Sequence, residues 1–430
     1  MPLRLTSSDA GFEDAFTGYI SHGRETAADV AGVVSAIVAD VRARGDAAVA
    51  EYTQKFDRLD VIGDLRIDPD LIAAARDACS AEQIDALEFA AARIRAFHER
   101  QLPEGFSFTD AEGVHLGARW TAVSAAGIYV PGGTAAYPSS VLMNAVPATV
   151  AGVGRIVMAV PTPDGAVNPL VLAAAELAGV TEIYRIGGAQ AVAALAYGTE
   201  TIKPVDKITG PGNAYVAEAK RQVFGTVGID MIAGPSEILV VADADNNSDW
   251  IAADLLSQAE HDTSSQSVLI TDSGALADAV ADAAERALGK LQRADIARES
   301  WEVHGAIILV RDLADAVPLI DRIAPEHLEL AVDEPEVLAD KVKNAGAIFL
   351  GRHTPEAIGD YVAGPNHVLP TAQSARFSSG LGVTDFMKRT TLVSCDAASL
   401  ARIGPVAVTL ANAEGLDAHA LSLSVRLDDG

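Results

Sequence analysis

Apolar residues in the middle of the chain come in short unbroken runs, and each run ends at a turn rich in glycine or proline. Such runs predict buried β-strands. The predicted strands lie at 125–130, 156–160, 182–186, 207–209, 238–242, 267–271, 306–310 and 347–350. The segments between them are alanine-rich and predict helices, so the pattern indicates parallel sheets covered on both faces.

This alternation predicts an α/β fold with two doubly wound, Rossmann-like parallel-sheet domains and helical N-terminal and C-terminal appendages. With 430 residues, of which 49% are hydrophobic, the chain can bury two such cores. We expect an N-terminal arm over 1–24, one α/β domain over 121–236, a second over 25–120 plus 237–380 that includes the N-terminal helices, and a C-terminal dimerisation tail over 381–430.

Amphipathic helices are predicted outside the two sheets. Apolar spacings of three and four indicate helices within 27–56 and 71–100 and, in the tail, over 397–411 and 414–423. His98 has charged neighbours in the second of these segments. We therefore expect His98 on a solvated helix face.

The formal net charge of -27 excludes two classes of partner, because it repels nucleic acid and anionic membranes and no Lys/Arg block interrupts it. The uncharged run over 121–154 is broken by prolines and glycines, so we do not expect a membrane span. Only Cys79 and Cys395 are present, at no paired spacing, and the N-terminus has no secretory signal pattern. We therefore expect a cytoplasmic protein without disulfides.

Candidate ligand-binding residues follow the strands of the first α/β domain, since ligands of such sheets bind beyond the carboxyl ends of the strands. Glycines there admit a ligand to the backbone, and tyrosine, glutamine and asparagine offer a ring and amides for a ribose, base or carboxamide. These residues are Tyr129, Gly132, Gly133, Gln190, Gly212 and Asn213.

A dinucleotide fingerprint of the form Gly-x-Gly-x-x-Gly follows none of these strands. The nearest segment, 210–215, has Tyr215 where a third glycine would permit tight helix packing. Two interpretations therefore stay open, a nucleotide site or a set of tight strand-to-helix connections.

The segment 254–262 offers possible metal ligands on a predicted helix. Gln258 and His261 are three residues apart, so an amide oxygen and an imidazole nitrogen leave the same face. Both can bind one ion. Two ligands do not hold a metal, however, and a hydrogen-bonded surface pair is the alternative.

Glu326 and His327 are adjacent at a predicted turn into a strand. Because neighbouring residues in an extended chain point to opposite sides, we expect these two to serve different partners, such as a water and a substrate hydroxyl.

Further candidates lie on later loops and in the tail. Asp360 offers an anionic oxygen, and His367 lies in a loop bracketed by prolines. Glu414 and His419 are five residues apart near the C-terminus. Each alone could be a helix cap or a surface residue. As a set, glutamine, two histidines and aspartate make a nitrogen and oxygen site without thiolate, which suits zinc that stays accessible to substrate.

Several short segments stand in an order that is specific as a set, although each alone is not. They are Gly127-Ile-Tyr-Val-Pro-Gly-Gly133, Asp206-Lys-Ile-Thr-Gly-Pro-Gly-Asn213, Gly234-Pro-Ser-Glu237, Leu255-Leu-Ser-Gln-Ala-Glu-His261, Pro325-Glu-His-Leu328 and Gly364-Pro-Asn-His-Val-Leu-Pro370. Together they resemble the histidinol dehydrogenase family over nearly the whole chain. The resemblance implies an aldehyde-dehydrogenase-like fold and a zinc enzyme that oxidises L-histidinol to L-histidine in two NAD-linked steps, with no free aldehyde released.

By position, the resemblance also implies residue roles. Zinc would be bound by Gln258, His261, Asp360 and His419, and substrate would complete its coordination. His327 would be the general base, and Glu326 would activate the water that attacks the aldehyde.

The remaining implied contacts involve substrate and NAD. Ser236, His367 and Glu414 would position substrate, and Tyr129, Gln190 and Asn213 would contact NAD. A homodimer with exchanged tails would supply Glu414 and His419 from the partner chain.

Three other classes compete with this interpretation. An aldehyde dehydrogenase proper needs a nucleophilic cysteine, and both Cys79 and Cys395 lie outside the first α/β domain. A zinc-dependent hydrolase could use the same zinc, glutamate and water, but it leaves the glycine-rich turns without a role. A two-lobed binding protein shares the architecture but needs export, for which we see no signal.

Overall fold

A computed structural model describes residues 1–22, 30–60, 64–132 and 137–428. Gly133 and part of the predicted helix over 27–56 lie outside the described residues. The strands are β1 (Leu3–Thr6), β2 (Phe106–Thr109), β3 (His115–Ala122), β4 (Ala125–Tyr129), β5 (Arg155–Ala159), β6 (Glu182–Tyr184), β7 (Lys207–Thr209), β8 (Gly228–Ile229), β9 (Glu237–Ala242), β10 (Gln266–Thr271), β11 (Ala306–Leu309), β12 (His327–Ala331), β13 (Ala347–Leu350) and β14 (Met387–Ser394).

The helices alternate with the strands through the middle of the chain. They are α1 (Phe12–His22), α2 (Ala31–Arg44), α3 (Asp46–Asp57), α4 (Pro69–Ala74), α5 (Ala81–Glu99), α6 (Pro138–Ala151), α7 (Pro169–Leu177), α8 (Gly188–Tyr197), α9 (Ala214–Val223), α10 (Ser248–Ala259), α11 (Gly274–Leu288), α12 (Ala294–His304), α13 (Ala316–Ile323), α14 (Pro335–Ala339), α15 (Ala357–Tyr361), α16 (Ala397–Ala413) and α17 (Asp417–Asp428). Within the described ranges, no helix has the length and apolar character needed to cross a bilayer.

The first sheet has five parallel strands in the order β6-β5-β4-β7-β8. Its central strand β4 is buried along its whole length. One hydrophobic cluster covers each face: Ile128 belongs to the cluster with α5, α6 and α7, and Val157 to the cluster with α2, α3, α8 and α9. From β4 the chain adds β5 and β6 on one side of the sheet and then β7 and β8 on the other side. This change of direction beside β4 leaves a crevice at the carboxyl edge of the sheet.

The second sheet has six parallel strands in the order β1-β11-β10-β9-β12-β13. Helices α10, α11 and α12 cover one face, and α1 and α13 cover the other. The prediction of two doubly wound parallel-sheet units is therefore confirmed. The edge strand β1 lies in the segment that we expected to form an N-terminal arm.

A third sheet, antiparallel and in the order β14-β3-β2, was not predicted. It joins residues that are far apart in the chain, since Trp120 pairs with Arg389. Most of β14 is exposed, so its sequence shows little apolar alternation from which to predict a strand. The sheet leads into the tail helices α16 and α17, which pack against each other.

The N-terminal helices pack against the five-stranded sheet, although the predicted division groups them with the second domain. Val34 and Val41 of α2 and Val49 of α3 lie in the same cluster as Tyr129 of β4. The domain boundaries themselves stay a prediction. The expectation for His98 is wrong: its side chain is fully buried in α5, and Nδ1 lies 2.7 Å from the backbone oxygen of Ile94.

Candidate active site

Glu326 and His327 lie at the amino-terminal edge of the six-stranded sheet. Strands β9 and β12 are parallel neighbours, with His327 opposite Ile238, so the residues that begin both strands meet. Glu326 Oε2 accepts a hydrogen bond of 2.9 Å from the backbone N–H of Glu237, and His327 Nδ1 lies 3.0 Å from the Glu237 backbone oxygen. The two residues are 7% and 4% exposed.

The expectation that Glu326 and His327 point to opposite sides is wrong. Glu326 Oε2 and His327 Nδ1 are 3.7 Å apart. Glu326 precedes β12, and Ala324 just before it has a φ of 49°, so the alternation of an extended strand does not reach Glu326. The two side chains can therefore act at one place.

Two carboxyl groups at α15 extend this group of side chains. Glu356 Oε1 is 3.5 Å from His327 Nε2, and Asp360 Oδ1 is 3.5 Å from His367 Nδ1. One ligand atom each of His327, Glu356 and Asp360 lie within 4.8 Å of one another. Glu356 and Asp360 are four residues apart at this helix, so both leave one face.

Gln258, at the end of α10, faces the same group. Its side chain is 1% exposed, and among the described residues neither amide atom has a hydrogen bond of ordinary geometry. Burial raises the pKa of Glu356, and the nearby Gln258 amide opposes that shift. The structure therefore places a buried amide, whose donor and acceptor form no hydrogen bond of ordinary geometry among the described residues, beside the buried carboxyl group of Glu356.

His261 lies beyond the end of α10, contrary to the expectation of one continuous helical face for Gln258 and His261. Its backbone N–H donates to the Gln258 backbone oxygen at 3.1 Å, and its side chain is exposed. The imidazole nevertheless interacts electrostatically with Asp360 and His327.

Behind these groups lies a further pair of carboxyl groups. Glu329 is 1% exposed, points to the same face of β12 as His327, and shares a hydrogen bond with Asp254 of α10. Burial raises the pKa of both carboxyl groups.

Basic side chains do not neutralise this region. The ion pairs of its carboxylates are with His327 and His367. Among the described residues no Lys or Arg forms an ion pair with Glu237, Asp254, Glu326, Glu329, Glu356 or Asp360. Several buried carboxylates without a basic partner are costly unless a cation compensates them.

A zinc ion, as the resemblance implies, fits this donor set. The site offers carboxylate oxygens, imidazole nitrogens and the free amide of Gln258, with no thiolate. Such a set suits a divalent cation with open positions for substrate.

The protonation states of the adjacent pair suit proton transfer. Burial lowers the pKa of His327 to about 4, although the charge of Asp360 opposes the shift. Burial also raises the pKa of Glu326 well above its ordinary value. At neutral pH the imidazole is therefore uncharged and able to accept a proton, and Glu326 is a stronger base than an exposed carboxylate.

The carboxyl edge of the five-stranded sheet forms a different kind of site. A cleft of about 800 Å³ opens there, between Pro131 and Gly132 after β4, Pro161 and Thr162 after β5, and Phe56 of α3. Its walls are mostly apolar side chains and backbone, as in pockets that bind small molecules.

The residues predicted to contact NAD lie around the first turns of α8 and α9. The Tyr129 hydroxyl accepts a 3.0 Å hydrogen bond from the backbone N–H of Gly188. Gln190 is 1% exposed, and its Oε1 has no hydrogen-bond partner among the described residues. Asn213 Oδ1 caps α9, which leaves its amide nitrogen for a ligand. Helix N-termini with a free buried amide fit the phosphates and carboxamide of a dinucleotide.

A buried ion pair fixes the glycine-rich turn that precedes α9. Lys220 and Asp230 are 2% and 1% exposed in their side chains and form an ion pair. Lys220 Nζ donates to the Gly210 backbone oxygen at 2.9 Å, and Asp230 Oδ2 accepts from the Gly210 N–H at 2.8 Å. Both backbone groups of Gly210 are thus held by side chains.

The remaining predicted site residues are more scattered. Ser236 is half-buried next to Glu237. Glu414 and His419 lie at the exposed end of the α16–α17 hairpin, and among the described residues no hydrogen bond or ion pair joins them to Asp360 or Gln258. Their roles stay predictions, as do those of the other residues named from the resemblance.

Sequence reasoning gave no role to Glu237, Glu356, Glu329 or Asp254. A signal existed for two of them. Glu356 stands four residues before Asp360, and Asp254 stands four before Gln258, so each pair shares a helical face. Glu237 was noticed only as the last residue of a short motif.

The fold and the site define an α/β protein with a small-molecule cleft at one parallel sheet and a buried acid and imidazole centre at the other, a layout that suits an oxidoreductase. The family model for histidinol dehydrogenase matches residues 21–427. The chain belongs to the histidinol dehydrogenase family.

Individual relatives agree along their whole length. The histidinol dehydrogenase of Rhodospirillum rubrum is 67% identical over 432 residues and covers 100% of both chains. That of Ruegeria pomeroyi is 63% identical over 100% of this chain and 99% of its own. A crystal structure of histidinol dehydrogenase from Elizabethkingia anophelis has a TM-score of 0.94 at 37% identity, covering 100% of this chain and 98% of that one.

Proposed function

We propose that this chain is a cytoplasmic, zinc-dependent, NAD-linked enzyme that oxidises L-histidinol through the aldehyde to L-histidine, as a step of histidine biosynthesis. The observation that carries the proposal is the adjacency of two buried bases, Glu326 and His327, within a centre that has several carboxylates and no Lys or Arg partner among the described residues. Membership of the family supports the substrate and the reaction.

The acidic centre suits the charge and donors of the substrate. Histidinol carries an ammonium group and an imidazole, and carboxylates attract the first while a zinc ion binds nitrogen donors. Gln258, His261, Asp360 and His419 would hold the zinc ion. When bound, zinc supplies a fixed positive centre for substrate nitrogens and NAD supplies the acceptor for each hydride.

His327 is the base for alcohol oxidation. Its Nδ1 faces the Glu237 backbone oxygen, which only an N–H can contact favourably, so Nδ1 carries the proton and Nε2 has a free lone pair. Nε2 takes the hydroxyl proton as hydride leaves the carbon, because the developing alkoxide must lose its proton in that step.

Glu326 serves the second oxidation. Its carboxylate takes a proton from a water molecule as the water oxygen attacks the aldehyde carbon, and His327 returns the proton that it took from the alcohol to the aldehyde oxygen, which yields the hydrate and restores the neutral imidazole. His327 can then accept a hydroxyl proton of the hydrate as the second hydride leaves. Glu326 Oε2 lies 3.7 Å from Nδ1 of the His327 ring, and this proximity of the two side chains supports their action on one carbon in two steps.

The NAD site lies at the cleft of the first sheet. Tyr129, Gln190 and Asn213 would contact the cofactor at the first turns of α8 and α9. Burial and the neighbouring carboxylates raise the pKa of Tyr361, the neighbour of Asp360, and Tyr137 at the start of α6 is near enough to add to that rise, which supports a short path between the cleft and the acidic centre.

A homodimer with exchanged tails would complete the centre. The α16–α17 hairpin exposes Val406, Leu410, Leu421 and Val425 by 63%, 60%, 62% and 45%. Apolar side chains at such exposure favour burial against a second chain. In that arrangement the partner chain would bring Glu414 and His419 to the zinc and substrate.

The direct test is the yield of NADH from L-histidinol and NAD. We expect about two NADH per histidinol consumed, because each oxidation transfers two electrons. A zinc-dependent hydrolase would form no NADH, and a yield of about one NADH per histidinol would mean that the reaction stops at the aldehyde. Either result would contradict the proposal.

The division of labour between the two bases has its own test. His327→Ala should slow both oxidations by about 100- to 10,000-fold, the usual contribution of a general base. Glu326→Ala should mainly slow conversion of supplied aldehyde to acid. Equal losses in both half-reactions for Glu326→Ala would refute the separate roles.

A further inference from the structure

Glu237 is the residue on which Glu326 and His327 converge. Its backbone N–H donates to Glu326 Oε2 at 2.9 Å, and its backbone oxygen lies 3.0 Å from His327 Nδ1. The two groups flank one Cα at the start of β9. A small change at this residue therefore changes the placement of both bases.

The Glu237 side chain ties two separate segments to this point. Its Oε2 accepts from the Glu326 backbone N–H at 3.3 Å, and its Oε1 accepts from the Ala372 backbone N–H at 2.8 Å. Glu237 and Glu326 thus bind each other reciprocally, each carboxylate to the other's backbone. Ala372 ends the loop that contains His367, and Thr371 in that loop accepts a hydrogen bond from the Gly234 N–H.

The geometry suits a carboxylate and no other side chain. Each oxygen faces an N–H donor, so an amide of the same shape would place its NH₂ group against one of them. Both oxygens are already engaged by backbone donors, so Glu237 is poorly placed to take a proton from substrate. Burial raises the pKa of this carboxyl to about 7, and the two backbone N–H groups oppose the shift.

We propose that Glu237 is a positioning residue: its carboxylate holds the chain before β12 and the loop after His367 so that Glu326 and His327 meet the same carbon. The inference rests on the proposed function. It assigns Glu237 no contact with substrate, and it predicts a rate effect that passes through the two bases. Misplacement of reacting groups by about 1 Å is enough to cost about 100-fold in rate.

The test compares Glu237→Gln with wild type in each half-reaction, with rates normalised to folded, zinc-loaded protein. We expect kcat to fall about 10- to 100-fold in both oxidations, as when a supporting hydrogen-bond partner is removed, with little change in KM for histidinol. A variant with wild-type kcat in both steps would overturn the proposal, as would a rise in KM alone.

Asp321→Asn is the matched control. Asp321 Oδ1 accepts from the backbone N–H groups of Lys343 and Asn344 at 2.8 and 3.0 Å, so it also ties two chain segments together. Both donors share one oxygen, which an asparagine retains. This variant therefore loses only the negative charge and should keep wild-type kcat, and an equal loss there would show that Glu237→Gln acts through removal of a charge and not through the position of the two bases.

A double-mutant cycle separates positioning from an independent role. In the His327→Asn background, Glu237→Gln should cause little further loss of alcohol oxidation, because the base through which it acts is gone. Multiplicative losses would overturn the proposal. Wild-type protein that forms no NADH from histidinol would instead refute the proposed function.

A measurement on protein with an intact Glu237 covers the case in which Glu237→Gln does not fold. ¹⁵N imidazole spectra, with the His327 signal assigned by its absence in His327→Asn, should show Nδ1 protonated and Nε2 free at neutral pH. A proton on Nε2 in place of Nδ1 would mean that His327 does not donate to the Glu237 backbone oxygen. That result would contradict the proposal.

Discussion

The buried carboxylates at the two parallel sheets differ in their ion-pair partners. At the carboxyl edge of the five-stranded sheet, Asp230 is paired with Lys220, and both hold the backbone of Gly210. At the amino edge of the six-stranded sheet, the carboxylates of Glu326, Glu356 and Asp360 form ion pairs only with histidines within the described part of the chain.

This difference separates a structural use of charge from a functional one. A paired charge fixes the shape of a turn and contributes no chemistry. Unpaired buried carboxylates and neutral imidazoles retain proton affinity and an attraction for cations, at a cost to stability. We therefore expect the first edge to fit a ligand of fixed shape and the second edge to bind positive charge and move protons.

Breaking the pair at the first edge should give the largest stability effect. Lys220→Met leaves the Asp230 carboxylate buried and unpaired, so we expect a loss of about 3–5 kcal/mol in unfolding free energy, measured by chemical denaturation. The exposed pair Arg286–Asp249 is the control, and Arg286→Met should cost less than about 1 kcal/mol. Similar losses for both variants would remove the contrast between buried and exposed pairs.

At the second edge, buried carboxyl groups have no Lys or Arg partner among the described residues, so the stability of the fold should decrease as pH rises. Burial raises the pKa of Glu329 above its unfolded value. Its contribution to stability is therefore fully present below the ordinary glutamate pKa of about 4.5 and declines as pH rises toward the folded-state pKa. Glu329→Gln keeps an acceptor for the Glu356 N–H but cannot ionise. Its advantage over wild type should grow by up to about 1.4 kcal/mol per pH unit from pH 5 to pH 8.

The check is urea denaturation of both proteins across that range. Glu104→Gln, at an exposed position, should follow wild type at every pH. A constant difference between Glu329→Gln and wild type would mean that the Glu329 carboxyl is not held in its protonated form.

Gln258→Leu should give the smallest stability change and the most specific functional one. The buried amide has no hydrogen bond of ordinary geometry to lose among the described residues, so unfolding free energy of the metal-free protein should stay level or rise by about 1 kcal/mol. Zinc affinity, measured by calorimetry, should fall at least about 10-fold.

Gln222→Leu is the control for this change. Gln222 Nε2 donates to Glu218 and to the Ala31 backbone oxygen, so its loss should cost about 1 kcal/mol and leave zinc binding unchanged. A Gln258→Leu protein that is destabilised and binds zinc normally would assign Gln258 to structure alone.

The sequence predicted the strands and the local site motifs better than the contacts between distant segments. Eight strands of the two parallel sheets show as continuous apolar runs, and their predicted ends agree with the structure within a residue or two, as at 207–209 and 347–350, whereas the short edge strands β1 and β8 were not predicted. Local spacing also pointed to Gln258, Glu326 and His327. These features depend on neighbours in the chain, which a sequence displays directly.

The rest depends on contacts between distant segments. Glu237 contacts Glu326 because β9 pairs with β12 in one particular register. The local sequence of either strand does not determine that register. His98 was misjudged because its charged neighbours lie on other sides of α5. The antiparallel sheet was missed because β14 is short of apolar residues and pairs with a strand far away in the chain.

Metal content and activity of one preparation, before and after chelation, test the claim that the acidic edge is a cation-binding reaction centre. We expect about one zinc per chain, a loss of histidinol oxidation of about 100-fold or more on its removal, and recovery on adding zinc, because the cation fixes the reacting carbon. Full NADH production by verified metal-free protein would contradict the account.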